Sequence, residues 1–426
     1  MKKLLILGSD FSTVHLAEEA KKMGVYVIVS DLMSTSPTKM IADETWDIST
    51  TDIEELIERI QEKSINGVLA GASEFNLENV RAICKRLGLP LYCESDMAWS
   101  VARNKRKFKD LCKKCGVRVA SDYRLTDELK EDDIANVVFP VVVKPVDKSG
   151  NRGMSYCKNA NELIAGYRIV REMSDNESVI VESQLIGPEY TGYYVLADGE
   201  PVLSYYTSMH HQNGEAENLY SVEYMTSCHL KQYLEEMNEG IKQVIREAGC
   251  TDGIAWVETM YNRDNHFYAL EMGYRFAGPG IYAVHEWATG FNTYRWMIEY
   301  ALGIPHKKSD LPMELNGAHV ECVGAYDLFT NCEGKIASVE GLDVIERLPN
   351  VRIDMPKRAG DSVRYHANMG VIKIFGQNCD EMCETIDFIN NHLVIRNENG
   401  DNMYVRFDGF EKIKLEYEQG LREFVS

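Results

Sequence analysis

The chain has 426 residues, 45% of them hydrophobic and 26% charged, which is enough apolar surface for ordinary folded cores and about three domains of usual size. Its 46 basic residues are outnumbered by 66 acidic ones, for a net charge of −20. That balance argues against sequence-independent binding to nucleic acid or to an anionic membrane, yet it leaves room for a local basic pocket.

The first part alternates strand and helix. Strands are predicted at 3–7, 25–29 and 67–70, and helices at 13–23, 52–63 and 78–87, the rhythm of a parallel sheet covered by helices. The first turn, Gly8-Ser9-Asp10-Phe11-Ser12, lacks the second and third glycines of a dinucleotide fingerprint, which weighs against NAD. The loop Gly71-Ala72-Ser73-Glu74-Phe75 is expected at the carboxyl edge of this sheet, where Glu74 is either a substrate contact or an ordinary surface glutamate. Residues 105–115 predict a helix carrying five lysines and Arg106. Its Cys112-Lys113-Lys114-Cys115 spacing has no second such pair and reads as incidental. A valine-rich strand at 139–144 ends on Lys144, and the loop behind it holds Ser149, Gly150 and Gly153.

A helix at 161–172 and a strand at 179–182 lead to the connector Glu182-Ser183-Gln184-Leu185-Ile186-Gly187-Pro188-Glu189. Strands at 193–196 and 202–206 form a hairpin around Asp198-Gly199. A helix at 229–248 precedes a second hairpin, 254–260 with 266–272, and a helix at 286–302 follows. The remainder reads as strands with one or two helices, one of them at 380–390, and turns at Asn331 and Asn399. No apolar run approaches the roughly 18 residues of a membrane span, and the opening run is too short for a signal peptide. The eleven scattered cysteines are therefore expected as reduced thiols of a cytoplasmic protein.

Chemistry concentrates on the second hairpin. With a loop of Asn262 to Asn265, Tyr261 faces His266 and Glu258 faces Ala269. Glu271 is then the diagonal neighbour of Glu258 on the same face, about 7–8 Å away. Such a pair needs a positive partner, and hard oxygen ligands suit Mg²⁺ shared with nucleotide phosphates. Arg275 shares the parity of Glu271, which turns a metal site into a phosphate site. In isolation, two solvated glutamates on an exposed strand pair are the commoner arrangement. Lys144, at the end of an apolar strand, needs an anion, and the glycine loop behind it brings backbone N–H groups near phosphate oxygens. Lys105 offers a second charge. The connector can read an adenine edge through its backbone, and Glu189 can accept from ribose hydroxyls. Each of these features is commonplace when taken singly.

Their order resembles the ATP-grasp superfamily over about residues 1–312: Lys105, Lys144 with Ser149-Gly150-Asn151-Arg152-Gly153, the connector from Glu182 to Glu189, then Glu258 and Glu271-Met272-Gly273-Tyr274-Arg275. The resemblance implies that Lys105 and Lys144 bind ATP phosphates. It implies that Glu182 and the backbone of Ser183, Gln184 and Leu185 contact adenine, and that Glu189 contacts the ribose. Glu258 and Glu271 would hold Mg²⁺, with Mn²⁺ as an alternative, and Arg275 would stabilise the transferring phosphoryl group. One departure is Gly273, where the family carries an asparagine, and it puts a second metal ion in doubt.

The stretch from Gly334 through Pro349 to Gly360 is similar to the tails of L-amino-acid ligases and biotin-carboxylase-like proteins, and it implies carboxylate–amine ligation. The implied fold is α/β and α+β: a parallel-sheet domain at 1–103, a two-part ATP-grasp domain at 104–315 with a small lid at about 115–185, and an α+β subdomain at 316–426. The implied reaction makes an acylphosphate from a small acid, such as an amino acid, and ADP; an amine then attacks. Bicarbonate or carbamate chemistry and a weakly catalytic nucleotide-binding module are the alternatives. His210 and His211 are candidate substrate contacts, weighed against packing in an aromatic loop; His285 reads as packed against the start of its helix, and the aromatic-rich stretch 287–300 reads as core. The expected partners are ATP, an acid and an amine, with a homodimer left open.

Overall fold

The computed structural model describes residues 1–146, 153–174, 179–211 and 220–425. The first sheet is parallel, in the order Glu44–Trp46, Tyr26–Ser30, Lys3–Leu7, Gly67–Ala70. Apart from the edge strand Glu44–Trp46, its strands are short apolar runs buried almost completely, as expected for a sheet covered on both faces. At its carboxyl edge, Asp10 caps the helix Phe11–Lys22 by accepting from the Thr13 N–H at 2.9 Å. The same carboxylate accepts from the Ala72 N–H at 3.0 Å, so the loops after the first and fourth strands are tied together.

The helix expected at 78–87 starts earlier, at Glu74, because the Ser73 side chain accepts from the Asn76 N–H and caps it there. Glu74 therefore sits in the first turn of a helix and not in a loop. The helix expected at 286–302 is two helices, Tyr282–Thr289 and Thr293–Ala301. Gly290, at φ +71°, ends the first, and Asn292 caps the second through the Arg295 N–H.

A small antiparallel sheet, ordered Ser155–Cys157, Val141–Pro145, Val179–Ser183, packs on the helix Ala160–Met173 around its own core of Val141, Val143, Leu163 and Val170. The large sheet has eight strands: Phe267–Gly273, Gly253–Tyr261, Glu189–Ala197, Glu200–His211, Tyr220–Met225, Cys322–Phe329, Asn368–Gly376 and Val351–Asp354. It is continuous from the hairpin region into the last third of the chain, because Tyr220–Met225 pairs with Cys322–Phe329. A second long helix in the last part, Phe410–Val425, falls within the one or two expected there, at a position the sequence did not specify. Among the described residues no helix is long and apolar enough to cross a membrane. Every cysteine is a free thiol.

Candidate functional site

The two sheets enclose a cavity of about 500 Å³, lined on one side by Val142, Lys144 and Glu182 and on the other by Glu189, Glu258 and Glu271. The hairpin that supplies the last pair is built differently from its expected register. Tyr261 faces Phe267, Thr259 faces Ala269, and Glu258 faces Glu271 directly. Two local features cause the shift. The turn closes one residue later, with the Asn262 N–H donating to the His266 carbonyl and Asn265 held at φ +62°. Leu270 is then an extra residue, so Leu270 and Glu271 both line the cavity. Direct opposition brings the two carboxylate stems to about 4.5–5.5 Å, closer than a diagonal pair.

Burial pushes the Glu258 carboxyl well above its ordinary range, and the charges of Glu271 and Glu189 add to this. Burial acts on Glu271 in the same direction, but Lys105, Lys144 and Arg275 together hold its carboxyl below the usual value. The positive partner that the pair demands is Lys105, whose Nζ lies 2.5 Å from Glu271 Oε2. Two facing carboxylates with only hard oxygen donors fit Mg²⁺ or Mn²⁺, which would also relieve the charge repulsion at Glu258.

Lys144 and Glu182 come from neighbouring strands, and they meet in a buried cluster with Lys109. Lys109 was not singled out in the sequence. The signal was there, because Lys109 lies four residues after Lys105 and so shares its helix face. Burial and the charge of Lys144 lower Lys109 to about 8. Burial opposes ionisation of Glu182, yet Lys144 and Lys109 outweigh it and hold the carboxyl at about 2. A value depressed from 4.5 means that the cluster stabilises the fold above pH 4.5 and that this contribution is lost as the pH falls from 4.5 towards 2. We expect Glu182→Gln to cost about 3 kcal/mol at neutral pH, since it leaves buried lysines uncompensated. It should also flatten the acid limb of a stability–pH series measured by chemical denaturation; an unchanged acid limb would remove Glu182 as its source.

Arg275 lines the cavity just beyond the strand end. Its guanidinium contacts Glu74 at 3.1 Å and lies 5.0 Å over the Trp256 ring. Trp256 faces Gly273 across the hairpin, and a Cβ at 273 would sit 2.2 Å from the indole. The missing side chain at 273 is thus the space that the indole fills. Gly273→Ala is expected to destabilise by about 1–3 kcal/mol through overpacking and to displace the ring under Arg275. Thermal melts with tryptophan fluorescence test this; an unaltered melt and spectrum would refute the packing argument.

Ser183 and Leu185 line the cavity, and the Gln184 N–H donates to the Pro140 carbonyl at 3.0 Å. Gly153 directly precedes Met154, which lines it. Ser149 and Gly150 lie outside the described residues. The histidine pair is split by strand alternation. His211 faces the cavity, 3.8 Å from Glu189. His210 does not reach it; its Nε2 lies 2.6 Å from Glu416 of the C-terminal helix. His285 lies within the helix Tyr282–Thr289 and is buried against Tyr205 of the large sheet.

A family model described as an ATP-grasp domain matches residues 137–282. A formate-dependent phosphoribosylglycinamide formyltransferase of Bacteroides thetaiotaomicron is 27% identical over 313 residues, 72% of this chain and 78% of the relative. Among solved structures, L-amino acid ligase from Bacillus licheniformis superposes with a TM-score of 0.76 at 19% identity, covering 94% of this chain and 99% of that one. The biotin carboxylase domain of Hydrogenobacter thermophilus 2-oxoglutarate carboxylase, in complex with MgADP and bicarbonate, gives 0.76 at 17% identity, covering 92% and 91%. At these identities the two structures establish likeness of fold.

Proposed function

We propose, from the premise that the match over residues 137–282 makes this chain a member of the ATP-grasp superfamily, that it is an ADP-forming ligase joining a small carboxylic acid to an amine. The observation that carries this reading is the convergence of Lys105, Lys144, Glu258, Glu271 and Arg275 on one cavity between two sheets. The name of the Bacteroides relative supports it, since formate is a small carboxylic acid.

ATP would lie between the sheets, with its base among Val142, Tyr156, Leu185, Met209 and Met260 and its triphosphate towards the charged end. Glu182 and the connector backbone would meet the adenine edge and Glu189 the ribose. Mg²⁺ held by Glu258 and Glu271 would cancel charge on the phosphate oxygens. Lys105 and Lys144 would shift from their carboxylate partners towards the phosphates. Arg275, steadied by Trp256, would hold the acid and the moving phosphoryl group. The carboxylate oxygen attacks the γ-phosphorus, and the bond to the bridging oxygen of ADP breaks. The amine nitrogen then attacks the acyl carbon, and phosphate departs.

ADP and phosphate release measured with pools of acids and amines, with bicarbonate, and with neither tests the reading. Release that needs both an acid and an amine supports it. Release on bicarbonate alone would overturn it in favour of a carboxylase-type reaction, and tight ATP binding without stimulated turnover would overturn it in favour of a nucleotide-binding module.

A further inference from the structure

Three cations among the described residues line the cavity, and each already faces a carboxylate: Lys105 with Glu271, Lys144 with Glu182 and Arg275 with Glu74. Glu223 also lines the cavity, and it has no such partner among the described residues. It sits on Tyr220–Met225, opposite Met209, and is only 4% exposed. Tyr193 Oη and Thr207 Oγ1 both donate to its Oε1, the latter at 2.7 Å. Its Oε2 accepts no hydrogen bond among the described residues. A buried carboxylate without a cation is costly, and the mechanism above leaves this one unused.

We propose that Glu223 marks the subsite for the nucleophile, which enters as a primary ammonium group and rests on Oε2. The inference rests on the ligase reading and names the substrate class for its second half. The ammonium gives one proton to Glu223, and the freed nitrogen lone pair forms the bond to the acyl carbon. The carbon–oxygen bond to phosphate breaks with its electron pair, and the departing phosphate carries off the second proton. Burial pushes the Glu223 carboxyl upward, and Tyr193 and Thr207 restrain it, which suits a group that must accept a proton near neutral pH. An anionic second substrate such as bicarbonate would meet Glu223 as like charge.

Thermal shift of the full chain in MgADP tests this, with ammonium chloride, methylammonium chloride and glycine compared against sodium chloride at equal ionic strength and against sodium bicarbonate. The amines are expected to raise the melting temperature of the wild type. Glu223→Gln, which keeps an acceptor for Tyr193 and Thr207, is expected to lose the amine shift and keep the MgADP shift. A full amine shift in that variant overturns the assignment, as does a wild type that responds to bicarbonate and to no amine. Should the glutamine variant lose MgADP binding, Glu223→Asp decides. It retains the charge, and complete loss of its amine shift with MgADP binding intact counts against the subsite. Failure of every acid and amine pool to release ADP would sink the ligase reading, while Glu223-dependent amine binding would still stand.

Discussion

Glu271→Ala is expected to abolish magnesium-dependent ADP formation while the fold persists. Glu271 sits directly opposite Glu258, so its loss leaves one carboxylate where the proposed site needs two. Glu258 is already pushed towards its neutral form by burial, and a neutral carboxyl is a poor ligand for a hard cation. The same substitution removes the partner of Lys105. Metal stabilisation of a moving phosphoryl group is worth several kcal/mol, so the expected loss in kcat is on the order of 10³-fold or more. The structural cost should be small, since Glu271 lines the cavity and is not packed in a core. A coupled assay for ADP, run with a magnesium titration beside circular dichroism, reads both quantities. Unchanged turnover would remove Glu271 from the site.

Lys144→Ala should weaken nucleotide binding by about 10- to 100-fold, the cost of one or two charge-assisted hydrogen bonds to phosphate. Glu182 would keep Lys109 as a partner. The charge of Lys144 contributes to the lowering of Lys109, so its removal lets Lys109 titrate higher and stay charged. The fold should therefore survive a change that would otherwise strand a buried carboxylate. Calorimetric titration with MgADP gives the affinity directly. An affinity equal to wild type would show that Lys144 serves only to neutralise Glu182.

The separation between what was legible and what was not follows particular residues. The βαβ rhythm of the first part, the valine strand ending on Lys144 and the connector to Glu189 were readable because apolar periodicity and turn residues act over a few positions. The hairpin itself was readable, but its register was not. A late turn closure at His266 and an extra residue at Leu270 moved Glu271 from a diagonal to a facing position. The histidine pair looked like a unit in the sequence, and strand alternation sent its members to opposite sides. Glu223 carried no local signal, because its meaning comes from Tyr193 and Thr207, 30 and 16 residues distant.

By itself the sequence determined many of the strands and helices around the candidate site, and it determined the order of charged residues that resembles a nucleotide site, because these depend on neighbours along the chain. Tertiary structure alone decided which carboxylate meets which lysine: Glu182 with both Lys109 and Lys144, Glu271 with Lys105 and Glu74 with Arg275. Among the described residues it also left Glu223 without a cation. The reason is that burial makes an unpaired charge costly only once the sheets have closed, and which charges are buried together is set by register and packing between segments far apart in the chain.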